Sequence, residues 1–149
     1  MTLRWPRGDS FGGVREFRRA CHEAARSTGG RALEFQRAVY PLNFDQALVA
    51  YDDRAIVVLR QEWNLLAAAE HQPTGNEYFL SFVPYGRPSF IDEPELLMIV
   101  SQILPGTKVF SRADLEGPLV LEEWPYMSPS DVKHWKPENL GEALFNHWD

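Results

Sequence analysis

Two apolar runs in the first half of the chain place the strongest constraint on its fold. Residues 47–51 and 55–59 are apolar at every position, and the polar residues 52–54 separate them. Two short runs joined by a brief polar turn are typical of a β-hairpin. Because neither strand has a polar face, both are expected at the centre of a sheet. The sequence therefore predicts a sheet that contains this hairpin.

Further strands are predicted where apolar residues alternate or cluster. These segments are 33–39, 61–70, 77–83, 107–110 and 119–122, the last two on either side of a turn at 114–118. Within the second segment, residues 65–69 have high helix propensity, but the alternation favours a strand. Residues 71–76 contain proline and glycine and are predicted to form a loop. A single helical turn, capped by Ser128 or Ser130, is expected before Trp135.

Three helices are predicted from apolar residues at helical spacing. The first begins at Ser10 and ends before the paired glycines 29–30, which suit the left-handed conformation at a helix C-terminus. The second follows Asp92, its expected N-cap, and ends at Leu104. The third begins near Pro137, and its apolar stripe makes it the element that closes the core. That stripe consists of Leu140, Leu144, Phe145 and Trp148.

The length and the order of these elements indicate the fold class. A chain of 149 residues fits one domain, residues 1–149, that buries roughly 70% of the surface of its unfolded state. Strands and helices mixed in this order are typical of an α+β fold. We expect a mostly antiparallel sheet of about four to six strands, covered by two or three helices.

Charge is unevenly distributed along the chain. Residues 1–40 contain eight arginines and four acidic residues, whereas residues 41–149 contain seven basic and 17 acidic residues. Within the net charge of −6, the first part therefore carries +4 and the second −10. An acidic body makes nucleic acid an unfavourable main partner, because phosphate binding requires cations. It favours a basic partner, although the same charge also promotes solubility.

Cysteine content and hydropathy indicate the compartment. The single cysteine, Cys21, excludes an intrachain disulfide and a thiolate-rich zinc site. The longest apolar runs are far too short to span a bilayer, and there is no signal-like segment. We therefore expect a cytoplasmic protein that does not enter a membrane.

No arrangement of reactive residues predicts a catalytic centre, a metal site or a cofactor. Cys21 and His22 are neighbours, but adjacent side chains on a helix point about 100° apart. The sequence that starts at His22 resembles a zinc-protease helix, with Arg26 in place of the second histidine ligand. Asp131 and His134 are three residues apart, and such a pair does not make a coordination sphere.

The C-terminal segment contains a spaced motif. It reads Trp135-Lys136-Pro137, then Gly141, then Phe145-Asn146-His147-Trp148-Asp149. This pattern, W-x-P-x-x-x-G-x-x-x-F-N-x-W-D, resembles the ending of small bacterial immunity-type proteins of polymorphic toxin systems. The resemblance covers the last tenth of the chain, together with its size, acidity and α+β pattern. It implies a protein that binds and blocks a co-produced toxin domain, with a structural motif and interface residues that vary with the toxin.

The charge and the resemblance together predict an immunity protein that binds and occludes a cognate, basic toxin domain, for example a nuclease. Acidic side chains are candidate contacts because opposite charges speed association, and exposed aromatic side chains are candidate anchors. The acidic candidates are Asp52, Asp53, Asp92, Glu93, Glu95, Glu122 and Glu123, and the aromatic candidates are Trp63 and Tyr85.

Two other classes of function stay open from the sequence. A small enzyme or ligand-binding domain would have a pocket between sheet and helices, lined by His134, His147 and a carboxylate. A nucleic-acid-associated regulator would use the arginines of the first helix. These are Arg15, Arg18, Arg19 and Arg26, and the glutamates interleaved with them favour an ion-paired, solvated helix face instead. The sequence does not indicate an oligomeric state.

Overall fold

The computed structural model describes residues 13–39, 42–76, 79–84 and 88–148. The predicted α+β class and the mostly antiparallel sheet are confirmed. The strands are β1 (Arg31–Gln36), β2 (Phe44–Ala50), β3 (Ala55–Gln61), β4 (Leu65–Glu70), β5 (Thr74–Asn76), β6 (Phe79–Ser81), β7 (Phe90–Ile91) and β8 (Lys108–Val109). The α-helices are α1 (Val14–Ser27), α2 (Pro94–Ile103), α3 (Arg112–Glu116), α4 (Pro129–Trp135) and α5 (Leu140–Leu144).

The main sheet has the order β1-β2-β3-β4, and two short strands share the far side of β4. β7 pairs with β4 antiparallel, β8 pairs with it in parallel, and the other neighbours are antiparallel. The predicted central hairpin is confirmed, because β2 and β3 both lie inside the sheet. β5 and β6 form a separate hairpin. The two edges of the sheet, β1 and β7/β8, lie roughly 19 Å apart at about 4.8 Å per strand.

Helices α1 and α2 cover one face of this sheet, which we refer to as the helical face. α1 buries small side chains and one aromatic ring, and α2 buries larger aliphatic ones. The buried residues of the two helices are Phe17, Ala20, Cys21, Ala24, Ala25, Leu96, Leu97 and Val100. The predicted end of the first helix is confirmed, since Gly29 follows it with a φ of +84°. Residues 10–12 of its predicted start lie outside the described part of the chain.

The last third of the chain covers the other face, which we refer to as the C-terminal face. Its core residues are Phe110, Leu115, Met127, Leu140, Ala143, Leu144 and Phe145. The prediction that the C-terminal segment closes the core is therefore supported by its burial. The predicted helix is too long, however. α5 begins after the N-cap Asn139 and ends at Leu144, so Pro137 precedes it and Trp148 follows it.

Several predictions for short segments were wrong. Residues 119–122 are not a strand, since a 3-10 turn (Leu121–Glu123) lies there, and the turn expected at 114–118 contains the end of α3. The loop expected at 71–76 contains β5. The N-cap of α2 is Glu93 rather than Asp92. β4, β8 and the Ser128 cap of α4 are confirmed.

Candidate functional site

A cleft of about 390 Å³ opens where the β7 edge of the sheet meets α3 and α5. Its charged lining consists of Glu70, Arg112, Glu116, Glu138 and Glu142. Phe90 and Pro88 contribute apolar surface. We refer to this site as the acidic cleft, because its lining within the described residues contains four carboxylates and one guanidinium.

The two helices at the cleft begin with side-chain caps that fix the adjacent charges. Ser111 accepts a hydrogen bond from the Asp114 amide, and Asp114 accepts one from the Ser111 amide, which forms a capping box for α3. At α5, Glu142 donates its amide hydrogen to Asn139. The Glu142 carboxylate accepts the amide hydrogen of Glu138 at 2.7 Å. The two caps therefore fix the N-terminal ends of α3 and α5, the helices that form two sides of the cleft.

Asp92 links the two short edge strands to the cleft. β7 runs antiparallel to β4 and β8 runs parallel to it, so the C-terminal ends of the two short strands point towards each other. Asp92 directly follows β7. The Asp92 carboxylate accepts the amide hydrogen of Arg112, the first residue of α3, at 2.9 Å. Asp92, a predicted partner contact, is thus engaged in positioning α3.

The guanidinium of Arg112 lies among the carboxylates of the acidic cleft. It pairs with Glu116 at 2.8 Å, and both side chains are more than half exposed. The hydrogen bond to Glu116 raises the pKa of Arg112, and the charges of Asp92 and Glu70 raise it further. Solvent screens such an exposed ion pair strongly, so breaking it costs little free energy. Either side chain can therefore pair with a charged group of a binding partner instead.

A second acidic group surrounds Arg54 in the turn between β2 and β3. Arg54 donates two hydrogen bonds to the carboxylate of Glu93, at 2.8 and 3.1 Å, and a third to Asp53 at 3.0 Å. These bonds raise the pKa of Arg54, and the bond to Glu93 contributes the largest part of the increase. Asp52, which precedes Asp53, and Glu95, two residues after Glu93, are exposed. We refer to these five residues as the Arg54 cluster.

The Arg54 cluster adjoins the acidic cleft. Asp92 contacts α3 at the cleft, and the next residue, Glu93, binds Arg54. Burial raises the pKa of Tyr51, whose ring lies 4.3 Å below the Arg54 guanidinium, and Glu93 and Glu95 add to the shift. The structure therefore gathers five of the predicted acidic contacts, Asp52, Asp53, Asp92, Glu93 and Glu95, along one side of the molecule.

The remaining predicted contacts lie elsewhere. Trp63 is half-buried in the turn between β3 and β4, where its ring stacks on Trp124 at 6.2 Å. Glu122 and Glu123 are exposed on the 3-10 turn that leads to Trp124. Arg54 lies just before β3 and Trp63 just after it. The length of β3, roughly 20 Å, therefore separates Trp63 from the Arg54 cluster. Tyr85 lies outside the described residues.

The C-terminal motif is built into the fold beneath the acidic cleft. Phe145 is fully buried, with ring centroids 6.0 Å from Phe44 and 5.6 Å from Phe90. A Cβ atom at Gly141 would lie 2.5 Å from a ring carbon of Phe90, so this position has no room for a side chain. Because Phe90 also lines the cleft, the motif supports the floor of the site.

Hydrogen bonds between two asparagines fix the end of the motif. The side chain of Asn43 donates to the Leu144 carbonyl at 2.8 Å and accepts from the Asn146 amide at 3.0 Å. The Asn43 amide donates to the Asn146 carbonyl at 3.1 Å. Trp148 then stacks on Trp135 at 6.1 Å, with the two rings nearly parallel. Gly141, Phe145 and Asn146 of the motif therefore contact the interior of the fold.

The groups that would support an enzyme are placed as follows. His134 and His147 both contact the ring of Trp135, at 5.0 and 6.3 Å, and neither lines the acidic cleft. Burial raises the pKa of the Cys21 thiol, which keeps it protonated on the buried side of α1. Across the residues that the structure describes, no three His, Cys, Asp or Glu side chains are grouped to hold a metal ion.

The residues of the acidic cleft were missed in the sequence, although part of the signal was present. Glu138 and Glu142 are four residues apart, as are Arg112 and Glu116, which is the spacing of neighbours on a helix. The segment of α3 was predicted to be a turn, so the second pair was not recognised. The approach of Glu70 to both pairs depends on the tertiary fold.

The chain was compared with protein-family models, curated proteins and solved structures, and none of them matches it. Within the described ranges, no helix has the length and apolar character needed to cross a bilayer.

Proposed function

We propose that this chain is a cytoplasmic immunity-type protein that binds a cognate, basic toxin domain at the acidic cleft and occludes it. One observation carries the proposal. Among the residues that the structure describes, four carboxylates and one guanidinium line an open cleft between β4, α3 and the start of α5, and that guanidinium pairs with Glu116. This surplus of negative charge suits a partner that presents lysine or arginine.

The geometry suits side chains of the partner that enter the cleft. A guanidinium or ammonium group between Glu70, Glu116 and Glu138 would form charge-assisted hydrogen bonds, which are stronger than neutral ones. Phe90 offers apolar surface for the methylene stem of such a side chain. The adjoining Arg54 cluster extends the negative surface, and Asp52, Asp53 and Glu95 remain predicted contacts there.

Electrostatic attraction acts chiefly on the rate of association in a complex of this kind. Opposite potentials on two surfaces raise the association rate constant, and salt reduces the gain. The structural position of the C-terminal motif also supports the proposal, because a shared motif can maintain the fold while rim carboxylates vary with the toxin.

The experiment uses the toxin domain encoded beside this protein and two triple variants. The cleft triple is Glu70→Lys, Glu116→Lys and Glu138→Lys, and the control triple is Glu122→Lys, Glu123→Lys and Asp131→Lys. Both change the net charge equally at exposed positions. We expect the cleft triple to bind the toxin at least about 100-fold more weakly, since close interfacial charge pairs contribute about 1.5–7 kcal/mol each.

Growth protection should follow the binding. Cells that express the toxin domain should survive with the wild type and the control triple but not with the cleft triple. If the wild type neither binds nor protects, the immunity function is wrong. If the cleft triple binds and protects as well as the control triple, the toxin uses another surface.

A further inference from the structure

The exposed side of α1 and the neighbouring strand β1 carry a concentration of arginines. We refer to Arg15, Arg18, Arg26, Arg31 and Arg37, all exposed, as the basic face. Among the residues that the structure describes, none of the five forms an ion pair. The pair on this helix is that of Arg19 with Glu23 at 3.3 Å. The expectation of an ion-paired helix face therefore holds for only one of its arginines.

The cations of this region are all guanidinium groups. Residues 13–39 contain six arginines, no lysine and three glutamates. A guanidinium presents a planar fork of donors that matches a carboxylate, and Arg54 binds Glu93 in this bidentate way. Arg18 is held over the Phe35 ring at 5.0 Å, which leaves its guanidinium at the surface. The basic face thus suits carboxylates of a partner.

The basic face and the acidic cleft lie on opposite edges of the sheet. α1 packs against β1 and β2, and β1 is the first strand of the sheet. No other described strand pairs with the outer side of β1. The acidic cleft lies beyond β4, at the edge formed by β7, so roughly 19 Å of sheet separate it from β1.

We propose that the protein associates with itself head to tail, with the basic face of one copy docked on the acidic cleft of the next. Charge complementarity selects a second copy as the occupant, because every chain presents the required carboxylates on its other edge. The contact is heterologous, so a pair of copies keeps one free face and one free cleft at its two ends, and short chains of molecules form. Solvent-exposed charges make the association weak and sensitive to salt.

This association involves the same cleft as the proposed function but does not depend on it. The cleft of one molecule cannot hold the arginines of a second copy and a basic toxin at the same time. Self-association therefore competes with the toxin, and a toxin that binds the cleft tightly would dissociate the chains into single complexes.

Sedimentation velocity of the purified protein tests the proposal without any toxin. At an ionic strength of about 0.01 M, where the Debye length is about 30 Å, the weight-average mass should rise with concentration above the 17.1 kDa of the monomer. At about 1 M, where that length is about 3 Å, the protein should sediment as a monomer. A monomer under both conditions overturns the proposal.

Two complementary variants identify the surfaces. The face triple, Arg15→Glu, Arg26→Glu and Arg31→Glu, keeps the acidic cleft, whereas the cleft triple keeps the basic face. Each alone should sediment as a monomer at low salt, and an equimolar mixture should associate again, because the basic face of one variant meets the acidic cleft of the other. The control triple should associate as the wild type does. Circular dichroism verifies that each variant is folded.

The mixture separates the proposal from a general effect of net charge. If the mixed triples stay monomeric while the wild type associates, or if either triple alone associates as the wild type does, the face-to-cleft contact is wrong. The toxin experiment is independent of this result. A monomeric wild type whose cleft triple loses toxin binding would overturn the self-association and leave the immunity function in place.

Discussion

The two faces of the main sheet bury their cores in different ways. The helical face relies on two regular helices of 14 and 10 residues, whose buried side chains recur at helical spacing. The C-terminal face has helices of only five residues at α3 and α5, and it uses aromatic contacts and hydrogen bonds between residues more than 100 positions apart. The first arrangement is local in sequence, and the second depends on distant contacts.

This difference matters because the acidic cleft belongs to the C-terminal side. Its carboxylates on α3 and near α5 are placed by the contacts of those two short helices with each other and with β7. Short helices have little stability of their own. We therefore expect changes in the C-terminal core to disturb the cleft, whereas equal losses of stability on the helical face should leave it intact.

The largest effects on stability should come from the two aromatic residues at the centres of the faces. Phe145 and Phe17 are both essentially fully buried, and replacing either with alanine should cost about 3–5 kcal/mol of unfolding free energy. Chemical denaturation measures both losses. Amide hydrogen exchange should show that Phe145→Ala loosens α5 more than α1. Equal loosening of both helices by this variant would contradict the comparison.

A smaller loss is expected at the asparagine that connects β2 to the C-terminal segment. Asn43→Ala leaves the Leu144 carbonyl and the Asn146 amide without their hydrogen-bond partner. The free energy of unfolding should fall by about 3 kcal/mol in total. Asn43→Asp keeps the acceptor for the Asn146 amide but sets a carboxylate oxygen against the Leu144 carbonyl, so at neutral pH it should destabilise at least as much as the alanine variant. An aspartate variant as stable as the wild type would show that the bond to the Leu144 carbonyl contributes nothing.

Gly141→Ala should have a similar or slightly smaller effect, because the added methyl group meets Phe90 and the Leu115 carbonyl. Such overpacking costs about 2 kcal/mol. A substitution at an exposed position of α2, Gln102→Ala, serves as the control and should change stability little. An unchanged unfolding midpoint for Gly141→Ala in urea would mean that α5 can shift away from Phe90 without loss.

The smallest effect concerns the helical face at alkaline pH. In the unfolded chain a cysteine thiol ionises near about pH 8.5, whereas burial raises the pKa of Cys21 in the folded state. The folded state therefore binds more protons above that pH. The protonated thiol of Cys21 makes its full contribution to the free energy of unfolding below about pH 8.5. This contribution is lost as the pH rises, by at most about 1.4 kcal/mol per pH unit.

Unfolding of the wild type and Cys21→Ala between about pH 7 and pH 10 isolates this contribution. The stability of the wild type should fall more steeply with pH than that of the variant. The raised pKa of Tyr51 acts in the same direction in both proteins. Parallel curves would show that the thiol is not protected by burial.

The same contrast explains how much of the fold could be predicted from the sequence. β2, β3, β4 and the end of α1 follow from patterns within a few residues, and these predictions are confirmed. The length of α5 was wrong because Asn43, about 100 residues away, bonds to the chain just after it. The apolar stripe predicted for this helix continues past Leu144 to Trp148, and it contains no information about the contact with Asn43.

Buried charge was also not predictable from local patterns. Arg60 occupies a strand that reads as core, with 2% of its side chain exposed, and its guanidinium binds Asp45 on the neighbouring strand at 2.8 Å. The pairing of β2 with β3 brings the two together, and only the register of that pair reveals it. The acidic cleft has the same origin, since Glu70, Arg112 and Glu138 meet through the fold.

The central claim is that the carboxylates of the acidic cleft attract and hold a basic toxin domain. Stopped-flow measurement of the association rate constant at rising ionic strength tests it most directly. The rate constant of the wild type and the control triple should fall at least about tenfold between about 0.01 M and 1 M salt, while the cleft triple should associate slowly at both. The same rates and the same salt dependence for all three proteins would contradict the claim.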